Sequence, residues 1–110
     1  MGFALSKMQL TSNAFQSLGA IPKRHTGEGE DVSPHLSWTG APAGAKSFAV
    51  ICHDPDAPLA SAGSYGFVHW VLYNLSGTTT SLDEGTTDGT AGSNDFGKTG
   101  YGGPMPPDGH

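Results

Sequence analysis

Two stretches of this 110-residue chain hold side chains that could bind a ligand or move a proton: "HDPDAP" at 53–58 and "FVHWVLYN" at 67–74. The first sets two carboxylates, Asp54 and Asp56, beside prolines directly after the apolar run "SFAVIC". Asp54 precedes Pro55, which presses its backbone toward extended geometry, while Pro55 is itself fixed in φ. A carboxylate held in this way loses little freedom when it binds a partner. Asp and Pro are also the commonest turn residues, so a plain turn is the alternative. The second stretch places His69 in an apolar strand, where a buried imidazole needs a hydrogen-bond partner. Either a backbone carbonyl satisfies it in the core, or it faces a cavity and pairs with an acid from a neighbouring strand end.

These residues must be positioned by short elements. Gly 17 and Pro 8 punctuate the chain, and no stretch keeps a helical period for more than two turns. The pattern predicts an all-β fold, a sandwich of two antiparallel sheets with long loops and at most short helices, in a single domain spanning 1–110. Strands are expected near Leu5–Thr11, Ile21–Thr26, Leu36–Thr39, Ser47–His53 and Phe67–Asn74, with turns at "GEGED" (27–31) and "GAPAGAKS" (40–47). In the last strand a period of two puts Val68, Trp70 and Leu72 on one face and Phe67, His69, Val71 and Tyr73 on the other. Only "LASAGSYG" separates it fully from "HDPDAP", so the two strands are expected to pair antiparallel with Asp54 near His69. From 75 to 103 the chain is almost devoid of apolar residues, the composition of a functional or disordered loop.

Composition narrows the function. Asp+Glu 10 against Lys+Arg 5 gives a net charge of -5, and beyond the pair Lys23-Arg24 there is no basic cluster to meet phosphates of a nucleic acid. No apolar run has the length of a signal-peptide core or a membrane span, and Met1-Gly2 with Ser6 fits a myristoylation pattern only loosely. The single Cys52 cannot form an internal disulfide, which fits a cytoplasmic location; in an apolar strand it reads as a small core residue, one face removed from Asp54. No metal or other cofactor is expected.

Four motifs in order, "DVSPHLSW" (31–38), "KSFAVICHDPDAP" (46–58), "FVHWVLYN" (67–74) and "NDFGKTGYGGPMPPDGH" (94–110), resemble the phosphatidylethanolamine-binding protein family, specifically its bacterial and archaeal Raf kinase inhibitor-like branch. The resemblance covers essentially the whole chain. It implies a β-sandwich with a small anion pocket at one end, built from Asp54, Asp56, His69, Gly102, Gly103, Pro104, Pro106 and Pro107. In such a pocket His69 would donate to a phosphate oxygen, and Asp54 would fix its tautomer and favour its charged form. The Gly102-Gly103 pair would let backbone N–H groups approach the anion, and Asp56 would cap its loop. The implied function is non-catalytic binding of phosphate, phosphoethanolamine or carboxylate ligands, with possible modulation of a protein kinase or protease.

The chain departs from the family pattern at His35, where a second proline is usual, and at Met105, where many bacterial members carry Cys. It also ends at "PPDGH", ahead of the expected G-x-H-R-Y strand and tail, so these residues are expected to be one piece of a longer product, either nicked with its C-terminal fragment docked as a partner or an incomplete chain. Two enzymatic alternatives are weaker. A metal-dependent hydrolase could draw on His53, Asp54, Asp56 and His69, but His53 and Asp54 are adjacent in an extended chain and point to opposite faces. A hydrolase built on an Asp54-His69 dyad lacks a nucleophile, since no G-x-S-x-G elbow is present.

Overall fold

The computed structural model describes residues 6–55 and 66–105. Its strands are β1 (Gln9–Thr11), β2 (Leu36–Thr39), β3 (Ser47–Asp54), β4 (Phe67–Ser76), β5 (Ser81–Leu82) and β6 (Thr90–Ala91). They form two three-stranded antiparallel sheets, ordered β1-β2-β5 and β3-β4-β6. Leu36, Trp38 and Leu82 from the first sheet meet Trp70, Leu72 and Leu75 from the second, and Met8, Phe48, Val50, Cys52 and Tyr101 pack against that cluster. The result is the two-sheet, all-β sandwich expected from the turn-rich composition. Burying each large apolar side chain contributes about 1.5–3 kcal/mol, so these six make most of what holds the sheets together.

The alternation in the sequence explains β2 directly, while β3, a continuous apolar run, alternates only in burial. In "LSWT" the buried residues are Leu36 and Trp38. In "SFAVICHD" every second residue, from Phe48 to Asp54, is the less exposed one. Cys52 and Asp54 therefore share the inward face, which corrects the expectation that they point apart.

β4 does not alternate strictly, and the departure matters for the site. Cys52 pairs with Trp70 and His53 with Val68, so His69 is an extra residue on β4 without a cross-strand partner. A second extra residue falls between the pairs Val50–Leu72 and Phe48–Leu75, where Asn74 takes a left-handed φ of 59°. Asn tolerates that conformation better than a branched residue would. Each bulge shifts the phase of the strand. Trp70, Leu72 and Leu75 consequently all reach the core, and His69 and Trp70, though adjacent, are both buried. The expected two-faced division of this strand is corrected accordingly.

Three further expectations change. The first strand is only Gln9–Thr11 among the described residues, and all three residues are exposed. The segment 21–26 is not a strand: Pro22 has no N–H for a ladder, and Lys23–His25 wind into a 3-10 turn with His25 N–H donating to Pro22 O at 2.9 Å. The polar region 75–103 is ordered in part, contributing β5, β6 and an antiparallel bridge between Ser93 and Thr99. Its anchor is Leu82, 1% exposed and the one aliphatic side chain between Leu75 and Ala91.

Candidate functional site

The site is assembled at the end of the β3–β4 pair. Asp54 lies directly across from Phe67, and residues opposite one another on antiparallel strands project to the same face. The phenyl ring of Phe67 stands 4.8 Å from the imidazole of His69 and 4.7 Å from Phe96, and His69 to Phe96 is 5.7 Å. Two aromatic rings thus wall an imidazole that is 6% exposed. Phe96 itself is 43% exposed, so the group opens to solvent along its edge.

One nitrogen of His69 is committed. Nδ1 lies 2.8 Å from the carbonyl oxygen of Gly102, and a carbonyl only accepts, so Nδ1 carries the proton. Gly102 N–H returns a bond to His69 O at 2.9 Å. The expected orienting acid is thereby replaced: the backbone of Gly102, not Asp54, fixes the tautomer at Nδ1. Nε2 has no hydrogen-bond partner among the described residues.

The glycine-rich segment does a different task from the one anticipated. Gly102 N–H is taken by His69, and Gly103 N–H donates to Asp31 Oδ1 at 2.7 Å, so neither is left for an anion. The absence of side chains matters for packing. A Cβ on Gly102 would run into the ring of Phe96, and one on Gly103 would run into His25 O and Asp31 Oδ1. Tyr101 Oη donates to His25 O at 2.6 Å, and Gly27 N–H donates to Pro104 O at 3.1 Å. Residues 101–104 are therefore sandwiched between β4 and the 25–31 segment. Asp54, His69, Gly102, Gly103 and Pro104 fall within described parts of the chain, whereas Asp56, Pro106 and Pro107 lie outside the described residues.

Several contributors were not singled out in the sequence. Asn94, 8% exposed, accepts from the N–H groups of Phe96 and Lys98 at 3.0 and 3.2 Å and donates Nδ2–H to Gly100 O at 2.9 Å. That triple bond set closes the turn which presents Phe96. Asp95 Oδ2 accepts from Val68 N–H at 2.7 Å, and Asp95 N–H donates to Val68 O at 2.9 Å, fastening the same turn to β4 beside the bulge. The signal available in advance was "ND" before a glycine, since short Asn and Asp side chains hydrogen-bond their own backbone in turns. A cleft of about 240 Å³ beside the glycine segment is lined by Asp31, Asn94, Phe96, Lys98, Tyr101 and the glycines themselves.

The acid–base chemistry nearby is muted. Burial raises the Cys52 thiol above its ordinary value, and the Asp54 carboxylate raises it further. Burial likewise raises the Tyr101 phenol, with Cys52 and Asp31 adding to the effect. Both groups are thus held in their neutral forms at neutral pH, the opposite of what an activated nucleophile requires. Among the described residues no three His, Cys, Asp or Glu side chains gather as a metal-holding group. Nor is any helix among them long and apolar enough to cross a membrane.

Comparison with known proteins accords with this architecture. Residues 11–110 match the model of the family described as phosphatidylethanolamine-binding protein. A UPF0098 protein of Methanothermobacter thermautotrophicus is 45% identical over 109 residues, covering 93% of this chain and 69% of the relative. The UPF0098 protein YbhB of Escherichia coli is 42% identical over 115 residues, covering 93% of this chain and 70% of the relative. Among solved structures, a phosphatidylethanolamine-binding protein homologue from Chlamydia trachomatis superposes with a TM-score of 0.85 at 40% identity, covering 94% of this chain and 69% of that one. Escherichia coli YbcL gives 0.84 at 37% identity, with 94% and 70% covered. The chain spans roughly two thirds of the length of these relatives, and it belongs to the phosphatidylethanolamine-binding protein family.

Proposed function

We propose that this chain binds a small phosphate- or carboxylate-bearing ligand, of the kind a phospholipid headgroup presents, and binds it without chemical conversion. The observation that supports this reading is His69: a buried imidazole with Nδ1–H anchored on the Gly102 carbonyl, Nε2 without a protein partner among the described residues, and Phe67 and Phe96 as walls. A largely buried imidazole whose second ring nitrogen has no protein partner among the described residues is suited to a ligand oxygen. Because the Nδ1 proton is already used, an oxyanion is met at Nε2 either by the imidazolium N–H or by a proton that the ligand brings. Binding at Nε2 therefore needs one proton shared between ring and ligand.

Asp54, on the face it shares with Phe67, supplies negative charge where an amine of a zwitterionic headgroup would be welcome. Modulation of a protein kinase or protease, the further expectation from the resemblance, would use the surface around this pocket and would be tested by competition with the small ligand.

Titration calorimetry with inorganic phosphate and phosphoethanolamine, in buffers of different ionisation enthalpy, tests the reading. Wild type should bind with uptake of up to about one proton, and His69→Ala should lose roughly tenfold to a hundredfold in affinity. Equal affinity in the two proteins would reject the pocket.

A further inference from the structure

We infer that Asp31 is the positioning acid of His69, acting on the imidazole through the one peptide group that joins Gly102 to Gly103. The carbonyl of that group accepts the Nδ1–H of His69 at 2.8 Å, and its N–H donates to Asp31 Oδ1 at 2.7 Å. Imidazole, peptide and carboxylate thus form a chain of two hydrogen bonds running in the same sense. The task foreseen for Asp54, holding one tautomer of the ring, falls to an acid one peptide removed.

The chain behaves as a polarised amide. Resonance ties a peptide nitrogen to its carbonyl oxygen, so an anion at the N–H draws negative charge onto the oxygen. The bond to Asp31 is charge-assisted, the stronger class of hydrogen bond, and its length lies at the short end of that class. Gly102 O is thereby a better acceptor for Nδ1–H than the carbonyl of a neutral turn. A stronger bond at Nδ1 leaves Nε2 richer in electron density, and better able to share a proton with a ligand oxygen.

The loop around Asp31 holds its carboxylate in place. Asp31 takes a left-handed φ of 59°, a conformation that the short Asp and Asn side chains tolerate and most others do not. Just after it, Val32 O is tied to His25 Nδ1 at 2.9 Å, and Ser33 O accepts from Gly85 N–H at 2.9 Å. Tyr101 Oη donates to His25 O at 2.6 Å, which fastens the glycine segment to the same loop. Gly103 completes the fit, since a Cβ there would run into Asp31 Oδ1. Among the described residues no cation forms an ion pair with Asp31. Burial raises the Tyr101 phenol, Cys52 adds to it and so does Asp31, so the field of this carboxylate extends inward from the loop.

The consequence for binding rests on His69 being the ligand site proposed above, whereas the coupling itself can be read without ligand. Asp31→Asn is the discriminating change, because the amide keeps the acceptor, the length and the left-handed backbone and removes only the charge. Nitrogen-15 NMR of the ligand-free 110-residue chain, with His69→Ala assigning the ring signals, reads the hydrogen bond directly. In Asp31→Asn the Nδ1–H proton should move upfield and exchange faster with water, and the affinity for inorganic phosphate should fall by about threefold to tenfold. In wild type the Gly103 amide proton should lie far downfield, as a charge-assisted bond requires; an ordinary amide position overturns the inference. Ring signals unchanged in Asp31→Asn overturn it as well, whether affinity holds, which leaves the carboxylate a loop pin, or falls, which puts Asp31 in direct contact with the ligand. Ring signals that shift in a protein with no affinity for phosphate uphold the coupling and reject the ligand reading instead.

Discussion

His25 and His69 occupy two corners of the molecule that begin alike and end differently. Both imidazoles are buried, 3% and 6% exposed. Both present Nδ1 to a backbone carbonyl, His25 to Val32 O at 2.9 Å and His69 to Gly102 O at 2.8 Å. They part at Nε2. At His25 that nitrogen lies 3.7 Å from Glu84 Oε1, and the same carboxylate is held from outside by Arg24 through two bonds of 2.6 and 2.7 Å. At His69 the corresponding nitrogen meets aromatic walls and no polar partner among the described residues. In the first corner a carboxylate of the protein itself stands within ion-pair range of the second ring nitrogen, which suits a structural histidine. In the second, no polar group among the described residues stands there, which leaves that nitrogen available to a ligand.

The largest effect expected from breaking this comparison is a crossing of phenotypes. His25→Ala removes a buried ring and leaves Val32 O without its donor, so it should lower stability by about 2–4 kcal/mol in urea denaturation. Once folded, that variant should still bind phosphate within about threefold of wild type, because Tyr101 is bonded to the backbone carbonyl of residue 25 rather than to the ring. His69→Ala should do the reverse, losing binding at a smaller cost in stability. If both substitutions move stability and binding in the same proportion, the distinction between the corners fails.

How much of this contrast was legible in the sequence depends on what carried it. β2 could be read because "LSWT" alternates, and β3 because "SFAVIC" is a short apolar run bounded by turn residues. The pairing of the third and fourth strands followed from the short connection between them, and it sets Asp54 across from Phe67. The bulge at His69 was not legible, since an extra residue leaves no mark in an apolar run. Without it, His69 and Trp70 must face opposite ways. Of the two partners the apolar strand left open for His69, the backbone carbonyl is the one found at Nδ1, but which residue supplies it could not be read, since carbonyls have no residue identity to search for. Pro22 should have argued against a strand over 21–26. Leu82, alone in a polar stretch, offered too little periodicity to announce β5.

Tyr101 joins the two corners, and removing its hydroxyl is the next sharpest test. Its ring meets Trp70 edge-on at 5.5 Å while Oη donates to His25 O. Tyr101→Phe keeps the ring contact and leaves one carbonyl unanswered, at a cost of about 1 kcal/mol. The pH dependence of this cost follows from the raised phenol. A group whose folded value lies above its unfolded one stabilises fully below the unfolded value and loses that contribution as pH rises toward the folded value. Wild type should therefore lose stability at pH above the ordinary phenol range, and Tyr101→Phe should lose less over the same interval. Parallel alkaline limbs in thermal melts of the two proteins would show that the buried hydroxyl is not responsible.

The smallest effect sits on the closed corner itself. The Arg24 hydrogen bonds hold the Glu84 carboxyl below its ordinary range, with smaller help from the charges of Arg24 and His25. A depressed carboxyl contributes stability above its unfolded value and loses it as pH falls through the folded one. Glu84→Gln should thus lower the melting temperature slightly at neutral pH, and the difference from wild type should shrink below the ordinary carboxylate range. Because Arg24 and Glu84 are solvent-exposed, salt should shrink it too. What makes the variant informative is its effect on the ring behind it. Glutamine can still fill the space beside His25 but brings no charge to Nε2, so the closed corner becomes an electrostatically open one. If burial of the imidazole and its Nδ1 bond suffice to define a structural histidine, the fold should absorb the change with no gain of phosphate binding at His25. A new, weak phosphate site appearing in the Glu84→Gln, His69→Ala double variant would show instead that one carboxylate is all that separates the two corners.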